Sequence, residues 1–373
     1  MYLLMPFLST TLIRYPFLRR WSGPAGLVVT LASLIGSAYA TTVAELIATQ
    51  GVLYALGCGL LFSPTSLYLD EWFVKRKGLA YGIMWSAKSI VGVITPFLSS
   101  ALLDRFGLRT TLLAWAAASA VLTMPLITVM KPRVPLPSRI SARPPPVSFA
   151  FLRHPLFWML QIGNILQSFG YLMPTTYLAS YATSIGLSHV AGPVLLAVFS
   201  LSSVPGSLVH GMLGDRLAAT TVILISSAGS AAAVLLLWGF SLHAAALFAF
   251  VILYGFFAGG FSATWSGILQ EMKRAGAGPA GDPASQVDTG LVFGMLMGGR
   301  GLGFVLSGPV SGALLSSAAG GSVGAGGTDI SAYSSQYGPM IICTGTTAVL
   351  GAWGWIWTTG KQCRRTLRRR LAW

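Results

Sequence analysis

Two basic residues stand inside long apolar stretches of this 373-residue chain, Lys88 and Arg300. A charge at the centre of a lipid-buried helix costs about 2.5–3.5 kcal/mol even on lenient scales, so such a residue faces a cavity or a partner. Arg300 lies in MGGRGLGF, where Gly298, Gly299, Gly301 and Gly303 allow close helix approach and leave room around the guanidinium. Its planar donors suit a carboxylate held by two parallel hydrogen bonds, which points to anion binding or gating. A bond to backbone carbonyls of a neighbouring helix is the structural alternative. Lys88 is open to the same functional reading, or to snorkelling and pairing with a polar neighbour. Asn164, Gln167 and Tyr171 recur at spacings of three and four, which puts them on one helix face. Facing a cavity they would bind a small polar solute; facing another helix they would hold two helices together. Tyr254 and Trp265 are weaker cavity candidates, because aromatic residues in membrane helices mostly pack or sit at interfaces.

A second group of charges lies between apolar runs. Asp70, Glu71, Lys75, Arg76 and Lys77 crowd into eight residues, and Asp215 and Arg216 share a tight turn. A carboxylate near a helix N-terminus and an arginine over C-terminal carbonyls are each favourable by ~0.3–1 kcal/mol at exposed sites. Asp215, Arg216, Lys75 and Arg76 are therefore candidate latch residues that tie helix ends together in one of two states; simple charge anchoring is the other reading. No Ser/His/Asp, Cys/His or paired-carboxylate constellation is visible, no histidine pair has metal-ligand spacing, and Cys58, Cys343 and Cys363 are scattered. The reading is of a non-enzymatic chain with no cofactor and no metal.

The elements that carry these residues must be membrane helices. Of all residues 54% are apolar and only 9% are charged, against about 25% charged in a soluble domain. The chain is expected to be all-α and polytopic, with ten complete spans at about 23–43, 44–69, 79–103, 110–130, 156–181, 190–213, 217–239, 243–270, 287–316 and 338–359. The first thirteen residues, MYLLMPFLSTTLI, are too short to span, lack the basic start of a signal peptide, and read as the last turns of a helix.

The formal charge of +15 is explained by position and needs no nucleic acid. When alternate loops are assigned to opposite sides, twenty of the 24 Lys and Arg fall on one side and only Arg105 and Arg109 on the other. That asymmetry makes the basic side, with the C-terminus, cytoplasmic. The basic, Pro-rich stretch KPRVPLPSRISARPPPVSF reads as a linker over 132–155 between an N-terminal bundle, 1–131, and a C-terminal six-helix bundle, 156–360, followed by a basic tail, 361–373.

At these residues the sequence resembles a known family. WFVKRKGLAYGIMWSA is similar to the fifth-helix signature of the monocarboxylate transporter-like branch of the major facilitator superfamily, matching at Trp72, Phe73, Lys75, Arg76, Leu79, Ala80 and Gly82. Met84 and Ala87 depart from it. GMLGDRL, Gly211 to Leu217, resembles the superfamily's G-x-L-x-D-R loop after the eighth helix, and LQIGNILQSFGYLMPTTYL and GGRGLGFVLSGPVSGALL resemble fungal-type members.

The resemblance implies a two-bundle transporter fold whose first helix and most of the second are missing here. It implies alternating-access transport of a small organic solute, a monocarboxylate or other organic anion among the candidates, with a latch at Asp215. The first-helix motif and lysine of the family have no counterpart. Ser203 and Ser207 stand where animal members carry an acidic residue and an arginine used in coupling, so proton coupling is not carried over. The expected partners are the solute, with or without a proton, and the lipid bilayer, the plasma membrane in particular; an accessory membrane protein is left open. The competing reading is a non-transporting remnant or regulatory paralogue.

Overall fold

A computed structural model describes residues 1–134, 147–188, 190–275, 287–320 and 331–358. The expected basic tail, 361–373, and half of the 132–155 linker lie outside the described residues. Those described are mostly helical, with no strand among them. A short α1, Met5–Arg14, is followed by α2, Arg19–Tyr39, and α3, Val43–Trp72. A 53-residue element, Lys77–Val129, is two helices broken at Gly107, whose φ of 73° is open to glycine without strain; α4 is 77–106 and α5 is 108–129. Then come α6, Pro155–Ser184, α7, Ala191–Arg216, α8, Ala219–Trp238, α9, Ala244–Arg274, α10, Thr289–Gly320, and α11, Gly338–Thr358.

Eight helices among the described residues are long and apolar enough to cross a membrane, the α4–α5 element counting as one of them. The 30-residue α6 is not in that set, and it is the helix that carries Gln161, Asn164 and Gln167. With α6 included and α4 and α5 counted separately, each sequence-expected span coincides with a long helix. Prolines inside α2, α3, α6, α7 and α10 do not end those helices. Neighbouring helices and hydroxyl side chains satisfy the backbone groups that a proline frees in a membrane.

The chain forms two compact units that interleave along the sequence. The first comprises Met1–Lys75, Phe97–Ala150 and Gly276–Gly298. In it α2 packs along α3, which begins at a capping box: the Thr42 hydroxyl accepts from the Glu45 amide and the Glu45 carboxylate accepts from the Thr42 amide. Buried hydroxyls serve the contact, the Ser33 Oγ donating to the Thr49 carbonyl at 2.9 Å.

The second unit comprises Arg76–Pro96, Phe151–Ala275 and Gly299–Trp373. Here α7 packs on α9 and α11 on α6. A Cβ on Gly255 would lie 2.6 Å from the Phe199 carbonyl, and one on Gly206 would overlap that of Phe256, so the α7–α9 crossing requires both glycines. Small residues at helix crossings are the expected solution where lipid tails remove the hydrophobic drive to associate and dispersion must hold helices together. The buried core of this unit is aromatic, with Trp238 stacked on Phe250 at 5.2 Å and Tyr181 edge-on to Trp238.

Candidate functional site

The second unit builds a cationic site around Arg300. The side chain is 2% exposed, and its Nη1 donates to the Gln167 Oε1 at 3.1 Å. Its guanidinium carbon lies 4.9 Å from the ring of Tyr171, 5.1 Å from Phe304, 5.8 Å from Trp265 and 5.9 Å from Phe261. α10 carries Arg300 and Phe304 one turn apart, α6 brings Gln167 and Tyr171 on one face, and α9 brings the other two rings. A desolvated cation over an aromatic face gains about 2 kcal/mol, which offsets part of the cost of burial. The rings stabilise the charge but supply no carboxylate for a bidentate pair.

Asn164 is 1% exposed and Gln167 4%, so the polar face of α6 turns into the bundle as the spacing requires. Tyr254 is buried and stacks on Tyr171 at 6.4 Å. Lys88 is exposed, its Nζ 5.8 Å from the ring of Trp85, which meets Trp265 edge-on at 5.7 Å. Two tryptophans thus stand between the two intramembrane cations. Sequence reading missed Gln161, buried one turn before Asn164 and against Gly299; its spacing of three from Asn164 was the available signal. Phe261, Phe304 and Trp85 were also missed, since nothing local separates a cage ring from a core ring.

His210 is fully buried on α7. Its Nδ1 is 2.7 Å from the Gly206 carbonyl. A carbonyl only accepts, so Nδ1 carries the proton at that bond.

At one end of the same unit Asp215 closes a helix start. Its carboxylate accepts from the backbone amides of Gly78 at 2.6 Å and Leu79 at 3.0 Å, and from the Gln270 Nε2 at 3.4 Å. It therefore caps α4 from another helix, satisfying two of the four amides that a helix N-terminus leaves without intrahelical partners. A Cβ on Gly78 would overlap the Gly211 carbonyl and one on Gly211 that of Gly78, so the glycines permit this approach. Lys75, Arg76 and Arg216 are exposed, and the short hydrogen bonds to Asp215 come from backbone amides. Glu271 does similar service for α8, accepting from the Ala219 amide at 2.7 Å.

The acidic pair of the crowded stretch has its own role in the first unit. Arg19 donates to Glu71 at 2.7 Å and to the Leu12 carbonyl at 3.0 Å, and the Thr289 hydroxyl donates to Asp70. Asp288 caps α10, accepting from the Gly290 amide at 2.9 Å. Asp70 and Glu71 thus tie the ends of α2, α3 and α10.

A family model of the Major Facilitator Superfamily matches residues 1–281. The chain belongs to that superfamily. Its relatives include the MFS-type transporter pynF of Aspergillus niger, 28% identical over 296 residues that cover 78% of this chain and 64% of that one. Monocarboxylate transporter 10 of Danio rerio is 28% identical over 206 residues, 52% of this chain and 40% of that protein. The fujikurins efflux protein of Gibberella fujikuroi is 26% identical over 240 residues, covering 63% and 50%. The facilitator chain described here thus spans less than two thirds of the length of each of these three.

Two solved structures share the fold at low identity. The human organic anion transporter MFSD10 (TETRAN) aligns with a TM-score of 0.63 at 15% identity, over 95% of this chain and 80% of that one. The Escherichia coli fucose:proton symporter FucP aligns at 0.65 and 14%, over 95% and 88%. The fold is therefore that of a multi-pass membrane transporter of the facilitator type, all-α as the span pattern requires.

Proposed function

We propose that this facilitator chain moves a small organic anion across a membrane by alternating access of two helical bundles, 1–131 and 156–360, with Arg300 as the anion-binding group. The observation that carries this is a guanidinium at 2% exposure inside a four-ring cage, hydrogen-bonded to Gln167 on a polar helix face. A membrane-buried cation is retained where it handles a charge, and the planar fork matches a carboxylate. Asn164, Gln167 and Tyr171 then fix the orientation of the solute's polar atoms, and Tyr254 backs the tyrosine. The names of relatives support the solute class, one being a monocarboxylate transporter, while another is named an efflux protein; alternating access accommodates both directions.

Asp215 serves as the latch in this reading, holding the start of α4 in one access state and releasing it in the other. The charge asymmetry of the loops supports a cytoplasmic basic side, with the plasma membrane as the site of action.

The test is uptake and efflux of labelled monocarboxylates and of a neutral solute in proteoliposomes, at two external pH values. Wild-type protein is expected to show saturable carboxylate flux, and Arg300→Ala to abolish it with insertion intact. Unchanged flux in the variant would reject the role of Arg300. No flux from correctly inserted wild-type protein would favour the non-transporting paralogue. A dependence on the imposed pH gradient separates proton-coupled from uncoupled movement.

A further inference from the structure

The first unit contains a cavity of about 570 Å³, inside the range of roughly 300–1,000 Å³ usual for small-molecule sites. It opens where three helix ends meet, at the first turn of α2, the last turns of α3 and the end of α5. Its rim is basic, with Arg19, Arg20 and Lys131, and its wall is formed by Tyr68, Ile127 and Met130. Glu71 neutralises Arg19 through their 2.7 Å ion pair. Arg20 and Lys131 are exposed and give the rim an excess of positive charge. The carbonyl of Lys131 is taken by the Trp72 indole N–H at 3.0 Å, so the negative end of α5 is partly covered there.

The depth of the cavity follows from its neighbours. Trp21, one residue beyond Arg20, is 65% exposed, and Trp72, bonded to the Lys131 carbonyl, is 55% exposed. Exposed tryptophans on membrane helices settle at the headgroup level. All three helix ends also belong to the basic side of the chain. A basic rim at that level above an apolar wall matches a lipid: the phosphate meets the cations and the first acyl carbons meet the wall.

We propose that this cavity binds an anionic phospholipid, its headgroup held by Arg20 and Lys131 and its glycerol and upper acyl chains lying against Ile127, Met130 and Tyr68. The site is separate from Arg300 and stands whether or not Arg300 binds solute. It makes the first unit's stability depend on the lipid composition of the membrane.

The test is a thermal-stability titration of the purified full chain with dioctanoyl phosphatidylserine, dioctanoyl phosphatidylcholine or inorganic phosphate. The serine lipid is expected to raise the melting temperature saturably, with neither phosphatidylcholine nor phosphate matching it. In the double variant Arg20→Ala/Lys131→Ala the half-saturating concentration should rise about thirtyfold, each near-surface cation being worth about fivefold. Arg153→Ala, which removes an exposed charge that does not line the cavity, should leave the titration unchanged. Equal effects of the two lipids, or an unshifted titration in the double variant, would overturn the proposal. So would a shift reproduced by phosphate alone, which would make the ligand a free anion and not a lipid.

Discussion

Arg300 and lysine at the same position differ in geometry more than in charge. Lysine keeps a cation among Tyr171, Phe304, Trp265 and Phe261 but presents a point charge where arginine presents a planar fork. If the fork is what grips a carboxylate, Arg300→Lys should retain insertion and raise the half-saturating carboxylate concentration by about 10- to 150-fold, a charge-assisted hydrogen bond being worth ~1.5–3 kcal/mol. Wild-type saturation in that variant would mean that charge alone suffices. Much of this site was legible beforehand. A lone arginine within an apolar run has nowhere to go but inward, and a spacing of three and four puts Asn164, Gln167 and Tyr171 together on any helix. Phe261 and Phe304 were not legible, and Trp265 stood out only as a weak cavity candidate, because these rings come from two helices whose approach no local pattern encodes.

Among the elements, the start of α4 is the joint with a measurable equilibrium. Asp215 lies 137 residues from the amide of Gly78 that it accepts. A side-chain cap is worth about 0.5–2 kcal/mol, and a charge at a helix N-terminus adds to it. Asp215→Asn keeps an acceptor and loses the charge, whereas Asp215→Ala loses both. We expect Ala to shift the ratio of the two access states by about two- to thirtyfold and Asn to shift it less. Cysteine-labelling rates measured from both sides of the membrane report that ratio; identical rates in wild type and both variants would remove the latch. Sequence reading picked Asp215 from its place in a short turn. It could not say that the partner is the backbone of Gly78 and Leu79, because two glycines, Gly78 and Gly211, set that approach.

For the whole molecule, the prediction concerns sidedness. Twenty Lys and Arg on one side against two on the other lead us to propose that the basic loops are cytoplasmic. In a background with the native cysteines replaced, Arg153→Cys and Arg216→Cys should react with an impermeant thiol reagent only from the cytoplasmic side, and Arg109→Cys only from the opposite one. All three are exposed, so access is decided by the membrane and not by packing. Labelling of Arg109→Cys and Arg153→Cys from the same side would overturn the assignment.

The sequence by itself determined that the chain is a set of long membrane helices and singled out Arg300 as a charge that is buried; Lys88, singled out by the same rule, is exposed. Both follow from local quantities, the length of an apolar run and the cost of an ion in hydrocarbon. Only the tertiary structure decided which rings enclose Arg300, which helix Asp215 caps, and that Asp70 and Glu71 tie helix ends as well as standing in a charged loop. Those outcomes depend on where two helix surfaces come within van der Waals contact. In a bilayer that is set by small-residue crossings and shape rather than by apolar patterning, since every lipid-facing surface is apolar already.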